Sequence, residues 1–365
     1  MSRVECIFYA VRFCIANSLR LLRRIVDLNY SIWLTIGAHG GKMIGMELKE
    51  KIYNVLTERQ GIACSGEELA KEFGVSRSAV WKAVRALRAD GYQIDAGTNR
   101  GYLLSEKNDV LSAADIQKNL KFPCSIRVEK RVGSTNDVVK EMAANGADEW
   151  TCVIAEEQTA GRGRYARSFY SPRGSGIYMS VLLRPKFSAE QTLYITTSAA
   201  VAVCEAIESV CNERCEIKWV NDVFMRGKKV CGILTESSYS VENGGVSYAV
   251  VGIGINVLSA AFPKVLTNVA TSVFCDSQYP FGVRAKLAAE LLERFHYYYE
   301  GIPQRTFFSE YERRSFLIGK EVETFIGEKR ETVRVLGVTE NCFLRVLCEN
   351  GKEKTLSAGE VSIRV

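Results

Sequence analysis

Residues 151–185 read TCVIAEEQTAGRGRYARSFYSPRGSGIYMSVLLRP. Two runs with strand character, TCVIAEEQ and GIYMSVLLRP, flank a segment in which Arg162, Arg164, Arg167 and Arg173 stand among Gly161, Gly163 and Gly174. Glycine lets backbone N–H groups come close to an anion, and arginine grips phosphate or carboxylate with paired donors. The G-K-[ST] and G-x-G-x-x-G signatures are missing, so this is neither a Walker loop nor a dinucleotide loop. The ordinary alternative is a solvated loop, but its place between two strands points to phosphate binding. Outward from it the pattern alternates. TTSAAVAVCEAIESVC reads as a helix, and EIKWV, VCGILTESSY and SYAVVGIGINV read as strands. The expectation is an α+β multidomain chain with a central mixed-sheet α/β domain over residues 111–316.

Four smaller clusters belong to that domain. KWVND (218–222) puts Lys218, Asn221 and Asp222 at the end of an apolar strand, where polar groups serve sites more often than packing. Asp222 is a candidate Mg²⁺ ligand through one carboxylate; a plain Asn-Asp turn is the competing account. Lys229 precedes VCGIL, which alone says little. GIGIN (252–256) has alternate glycines that allow close backbone approach, or mark a bulged strand. GSTN (133–136) opens a helix, where Ser134 or Thr135 would by default be the cap. Three adjacent polar side chains also suit a ureido or amide group, which needs donors and acceptors together.

Residues 46–104 read as a winged helix-turn-helix. Leu48, Ile52, Val55 and Leu56 recur at helical spacing up to Gly61. Ser65 and Glu68 form an S-x-x-E capping box for a helix over 67–73, and Gly74 makes the turn. Ser76 caps a third helix, RSAVWKAVRALRAD, and YQIDAGTNRGYLL supplies a two-stranded wing. A recognition helix presents its N-terminal side chains to base edges. Arg77, Ser78, Trp81 and Lys82 are therefore the candidate DNA readers, with Arg100 in the wing a candidate phosphate contact. A solvated charged face or a protein-interaction module is the alternative. Ser105–Val110 is polar and reads as a linker. After an aromatic-rich helical stretch, residues 317–365 show short alternating runs separated by turns, as expected for a small SH3-like β-barrel.

The 365 residues carry 48 Lys and Arg against 42 Asp and Glu, a net charge of +6. Residues 1–45 hold Arg3, Arg12, Arg20, Arg23, Arg24 and Lys42 against Glu5 and Asp27, so +4 sits in this leader and +2 in the remaining 320 residues. Arginines interrupt its apolar runs, which fall short of the roughly 18–20 residues that span a bilayer. The expectation is a loosely packed leader, with Met43 or Met46 as the functional start. The 12 cysteines show no metal-ligand spacing and read as buried reduced thiols of a cytoplasmic protein. The two histidines, His39 and His296, rule against a Ser-His-Asp hydrolase or an H-E-x-x-H protease.

Taken in order, GSTN, Gln158, GRGRxxR, KWxND, K-x-x-GIL and GxGxN resemble the bifunctional biotin–protein ligase and biotin operon repressor family over residues 46–365. The resemblance implies two steps: biotin and ATP give biotinyl-5′-AMP and pyrophosphate, and the adenylate acylates a lysine of a biotin carboxyl carrier domain. It implies that Ser134, Thr135, Asn136, Gln158, Arg162, Gly163, Arg164 and Lys229 surround biotin. On the ATP side it places Arg164, Arg167, Lys218, Asn221, Asp222 and Asn256, with Mg²⁺ at Asp222. Arg164, Lys229 and Asp222 are the catalytic candidates. No tightly bound metal is expected. The implied partners are the carrier domain, operator DNA and, with adenylate bound, a second copy in a homodimer, with no membrane. The family often has Pro at Val220, Gly at Ala166 and Trp at Phe169. A lipoate or octanoate ligase with a regulatory winged helix is the alternative.

Overall fold

The computed structural model describes residues 47–97, 101–186, 191–239, 245–258, 261–276, 278–326, 329–357, 359 and 361–363. The expectations for residues 1–45, for Met46 and for Arg100 lie outside them.

The first unit comprises α1 (Leu48–Glu58), α2 (Gly66–Phe73), α3 (Arg77–Ala89) and an antiparallel hairpin of β1 (Ile94–Gly97) and β2 (Gly101–Leu104). The capping box forms: Glu68 N–H donates to Ser65 Oγ at 3.0 Å, and Ser65 N–H to Glu68 Oε2 at 3.1 Å. Gly74 ends α2 in the left-handed region at φ 64°, where a Cβ is costly. The apolar stripe predicted for the helices, with Ile94 and Leu104 of the hairpin, is this unit's core.

The central unit is a seven-stranded mixed sheet in the order β3-β4-β5-β9-β8-β7-β6. Its strands are β3 (Ser125–Glu129), β4 (Thr151–Ala155), β5 (Gly176–Leu183), β6 (Glu216–Lys218), β7 (Asp222–Met225), β8 (Lys228–Tyr239) and β9 (Val246–Asn256). β3 and β4 pair in parallel and the rest antiparallel. The helices are α4 (Ala113–Gln117), α5 (Thr135–Ala144), α6 (Thr192–Val210), α7 (Val283–Glu300) and α8 (Phe308–Arg314). On one face, Val139 and Ala143 of α5 pack on Val153, Leu182 and Val250. The other face carries the main core, in which α6 and α7 lie against Ile154, Met179, Val181 and Val251. Thr192–Val210 is long and apolar enough to cross a membrane, but 72% of its apolar window is buried inside the protein. His296 stacks on Phe122 with ring centroids 4.0 Å apart, a packing role.

The last unit, β10 (Glu321–Ile326), β11 (Lys329–Val338), β12 (Leu344–Cys348), β13 (Glu353–Leu356) and β14 (Val361–Ile363), is an antiparallel sheet in the order β13-β12-β11-β10-β14. Among the described residues β13 and β14 do not pair to close a barrel. Its buried side chains join the main core, and Trp219 Nε1 donates to Cys342 O at 2.8 Å.

The linker is a built joint. Asn108 clips the first unit on: Gln93 N–H donates to its Oδ1 at 2.6 Å, and its Nδ2 donates to Gln93 O at 2.8 Å. The next residue, Asp109, pairs with Arg284 of α7 at 2.5 Å, and Arg284 also pairs with Glu156 at 2.7 Å. Arg284 is 3% exposed. A charge so buried persists only when paired and hydrogen-bonded.

Candidate active site

The cleft lies on the sheet face that carries α5, and glycine shapes its floor. Ser180 of β5 faces Gly252 of β9, which faces Leu234 of β8; one row along, Tyr178 faces Gly254 and Gly254 faces Gly232. A Cβ on Gly252 would lie 2.3 Å from Asn136 Oδ1, and one on Gly254 2.5 Å from the Phe169 ring. The alternate glycines of GIGIN thus bare the sheet so that one polar and one aromatic side chain lie against its backbone.

At one end α5 begins. Ser134 occupies its cap position without making a side-chain capping bond, so the default reading of that serine is not the one observed. Ser134, Thr135 and Asn136 are all buried. Thr135 donates through both N–H and Oγ1 to Gln158 Oε1, at 2.9 and 3.0 Å. Gln158 Nε2 donates to Ser171 Oγ at 3.0 Å, and Ser171 donates to Phe169 O. Arg162, at the rim, spends its guanidinium on both oxygens of Asp137. That hydrogen-bonded pair holds the Asp137 carboxyl below the usual carboxylate range.

At the other end the cations gather. Arg164 Nη1 donates to Asn221 Oδ1 at 3.0 Å and its Nη2 to Gly359 O at 2.8 Å, so the last unit helps aim it. Asn221 Nδ2 donates to Ile233 O at 2.8 Å, which fixes the amide. Lys229 Nζ pairs with Asp222 Oδ1 at 2.6 Å. Arg167 and Lys218 line the same space. Tyr165 and Ala166 both sit at φ 56°. Left-handed backbone of this kind favours glycine, a physical reason for the family's frequent glycine at Ala166.

The cleft is thus a slot of about 180 Å³. It has a polar head of hydroxyl and amide groups, an aromatic wall at Phe169, and a cationic mouth holding Asp222. Such a mouth can neutralise anionic oxygens, and such a head can hold a small group that both donates and accepts. Of the residues singled out in the sequence for biotin and ATP, all but Asn256 line this one space. Asn256 ends β9 and donates to Thr271 O at 3.3 Å. The DNA candidates Arg77, Ser78, Trp81 and Lys82 lie elsewhere, together on the exposed side of α3. Among the described residues no group of three or more His, Cys, Asp or Glu is placed to hold a metal ion. Sequence reading missed Ser180 and Glu236. The signal was a hydroxyl inside the apolar run GIYMSVLL and a carboxylate inside GILTESSY, both anomalous in buried strands.

The sequence model of the biotin/lipoate A/B protein ligase family matches residues 128–256, an HTH domain model matches 49–103, and a biotin protein ligase C terminal domain model matches 317–364. A bifunctional ligase/repressor BirA from Bacillus spizizenii is 38% identical over 231 residues, covering 62% of this chain and 70% of that protein. The chain belongs to the BirA family. The BirA of Escherichia coli is 27% identical over 303 residues, 82% of this chain and 92% of that one. Among solved structures, the Aquifex aeolicus biotin protein ligase in complex with biotin and ATP superposes with a TM-score of 0.57 at 30% identity. It covers 66% of this chain and 98% of that one. In this BirA-family chain the glycine floor of the cleft lies within the ligase match, Gly359 and Val361 at its mouth within the C-terminal match, and the exposed side of α3 within the HTH match.

Proposed function

We propose that the cleft joins biotin to ATP and passes the biotinyl group to a lysine of a biotin carboxyl carrier domain, and that the winged helix makes the protein a biotin-responsive repressor. The observation that carries this reading is the meeting in one slot of the Thr135–Gln158 polar head with Arg164, Lys218 and the Lys229–Asp222 pair. In this reading residues 46–104 bind operator DNA, 111–316 catalyse and 317–365 close the mouth through Gly359. Homodimerisation with adenylate bound, and a cytoplasmic location, belong to the same reading.

In the first step a carboxylate oxygen of biotin attacks the α-phosphorus of ATP, the bond to the β-phosphate oxygen breaks, and pyrophosphate leaves. Two anions must approach, and fixed cations offset that repulsion without reorganising in the transition state. Arg164, held by Asn221 and Gly359, and Lys229, held by Asp222, are preorganised for it. Ser134, Thr135, Asn136, Gln158 and Gly163 hold biotin, and Arg162 braces their loop against α5. Arg167, Lys218 and Asn221 take the nucleotide. In the second step the lysine nitrogen attacks the acyl carbon, the carbon–oxygen bond to AMP breaks, and the amine proton passes to water.

Mg²⁺ is usually held by one or two carboxylates together with phosphate oxygens. Asp222 is the one carboxylate among the described residues that line the cleft, which fits an ion carried in on the phosphates. When bound it would supply charge neutralisation, with Asp222 as its protein ligand.

The test is transfer itself: the chain, labelled biotin, ATP and a carrier domain are incubated and the carrier is assayed for label. Label that appears with lipoate or octanoate and not with biotin selects the alternative ligase; no transfer of any of them overturns both readings.

A further inference from the structure

Asn136 crosses the head of the cleft with its two amide atoms facing different chemistry. Nδ2 donates to Glu236 Oε2 at 2.7 Å and to Leu234 O at 3.4 Å. An ionised carboxylate and a carbonyl only accept, so the NH₂ end must face them. Burial pushes the Glu236 carboxyl up, but hydrogen bonds from Lys140 and Asn136 outweigh it and hold the group below the usual carboxylate range. Oδ1 is thereby turned onto the bare floor at Gly252, where it meets Ser180 Oγ at 2.5 Å.

Ser180 is fully buried and has a single proton to give. Its other neighbour is Thr135 Oγ1, at 2.7 Å. Gln158 Oε1 already accepts the Thr135 N–H, so the Thr135 hydroxyl proton can go to Gln158 or to Ser180. In either arrangement Ser180 brings at most one proton to Asn136 Oδ1, which has two lone pairs. The second lone pair is left for a ligand N–H. Were the Asn136 amide reversed, its NH₂ would face Ser180 and the acceptor would be gone from the floor.

We propose that Glu236 is a positioning residue, outside contact with the reacting atoms, whose charge holds Asn136 in the orientation that leaves this acceptor open for a ureido-type N–H. The proposal rests on the ligase reading and extends it to the group that sets head-group affinity.

The test is calorimetric titration of the full chain with biotin and, separately, with ATP. Glu236→Gln lets the facing side chain present either a donor or an acceptor, so the Asn136 amide can turn over. Biotin affinity should fall by about tenfold, the worth of one hydrogen bond, with ATP affinity within about twofold. Lys140→Met removes the neighbouring cation and keeps the carboxylate, so biotin affinity should stay within about threefold, less than one hydrogen bond. Undiminished biotin binding by Glu236→Gln overturns the proposal. So does an equal loss in Lys140→Met or an equal loss for ATP, since either marks a merely structural role. A wild-type chain that does not bind biotin overturns the ligase reading itself; normal wild-type binding with an unaffected Glu236→Gln overturns this proposal alone.

Discussion

Lys229 Nζ stands 2.6 Å from Asp222 Oδ1, across a hairpin whose register sets Asp222 opposite Gly232. A Cβ on Gly232 would lie 3.1 Å from Nζ, so the glycine leaves room for the ammonium to reach its partner. The pair keeps one cation and one carboxylate aimed into the mouth of the cleft.

Lys229→Ala should therefore cut biotin-dependent ATP–pyrophosphate exchange by at least about a hundredfold, the usual loss on removing one preorganised donor. Circular dichroism and melting should change little, since the side chain is only partly buried. Exchange at the wild-type rate would remove Lys229 from the mechanism.

Gly252→Ala puts a methyl group 2.3 Å from Asn136 Oδ1. Overpacking of this kind costs about 1–3 kcal/mol, and here the atom that must give way belongs to the polar head. Biotin affinity should fall by at least about fivefold, the low end of that cost, while ATP binds as before. Equilibrium titration of each ligand decides it, and an unchanged biotin affinity would show that the floor is not where biotin rests.

Lys82 and Trp81 are exposed on α3, with Arg85 over the Trp81 ring at 5.5 Å. Lys82→Ala should weaken binding to operator DNA by about 1–3 kcal/mol and relax the preference for operator over unrelated duplex. Adenylation should be unaffected. Fluorescence anisotropy with operator and unrelated duplexes measures both, and an equal loss on the two would take Lys82 off the base edges.

Arg314 ties α8 to α6 through Glu208 at 2.6 Å and lies 3.2 Å from Glu310. Burial pushes the Glu208 carboxyl up, but Arg314 outweighs it and holds it below the ordinary range. Hydrogen bonding to Arg313 leads the same effect at Glu310. Carboxyls with lowered folded values stabilise fully above their unfolded value of about 4.3 and lose that contribution as pH falls through the lower folded values. Melting temperature should hold from neutral pH to about 5 and fall below about 4. Arg314→Ala should cost about 1.5–3 kcal/mol at neutral pH, the worth of hydrogen bonds to a charged group, since Glu208 is partly exposed and keeps the Cys215 N–H, and should flatten that acid limb.

Periodicity carried much of this to the reader of the sequence. The helices of the first unit, the long buried helix α6 and strands β4, β5, β8 and β9 are written in apolar spacing, and Ser65, Gly74 and Ser76 mark their ends. The Arg-Gly loop, KWVND and GIGIN were legible as site material because polar groups and paired glycines interrupt apolar strands. Ser180, Glu236 and Arg284 were not legible as partners. Their meaning lies in contacts across 44, 100 and 175 residues of chain, and no local pattern encodes such a distance. The bonds that the linker makes were not legible for the same reason: polar composition marks a connector, and the partners of Asn108 and Asp109 lie elsewhere in the chain.

That joint has a consequence for reading DNA. With Asn108 hydrogen-bonded to Gln93 and Asp109 paired with Arg284, swinging the head relative to the body would have to break these bonds. In a two-fold pair of such chains, the gap between recognition helices would be set by how the bodies meet, before any duplex arrives. An operator whose half-sites fall outside that gap would have to bend, at a cost of about 1–6 kcal/mol for a site of 20–30 base pairs. A joint held in this way would make distance along the helix part of what such a pair reads, beside the sequence within it.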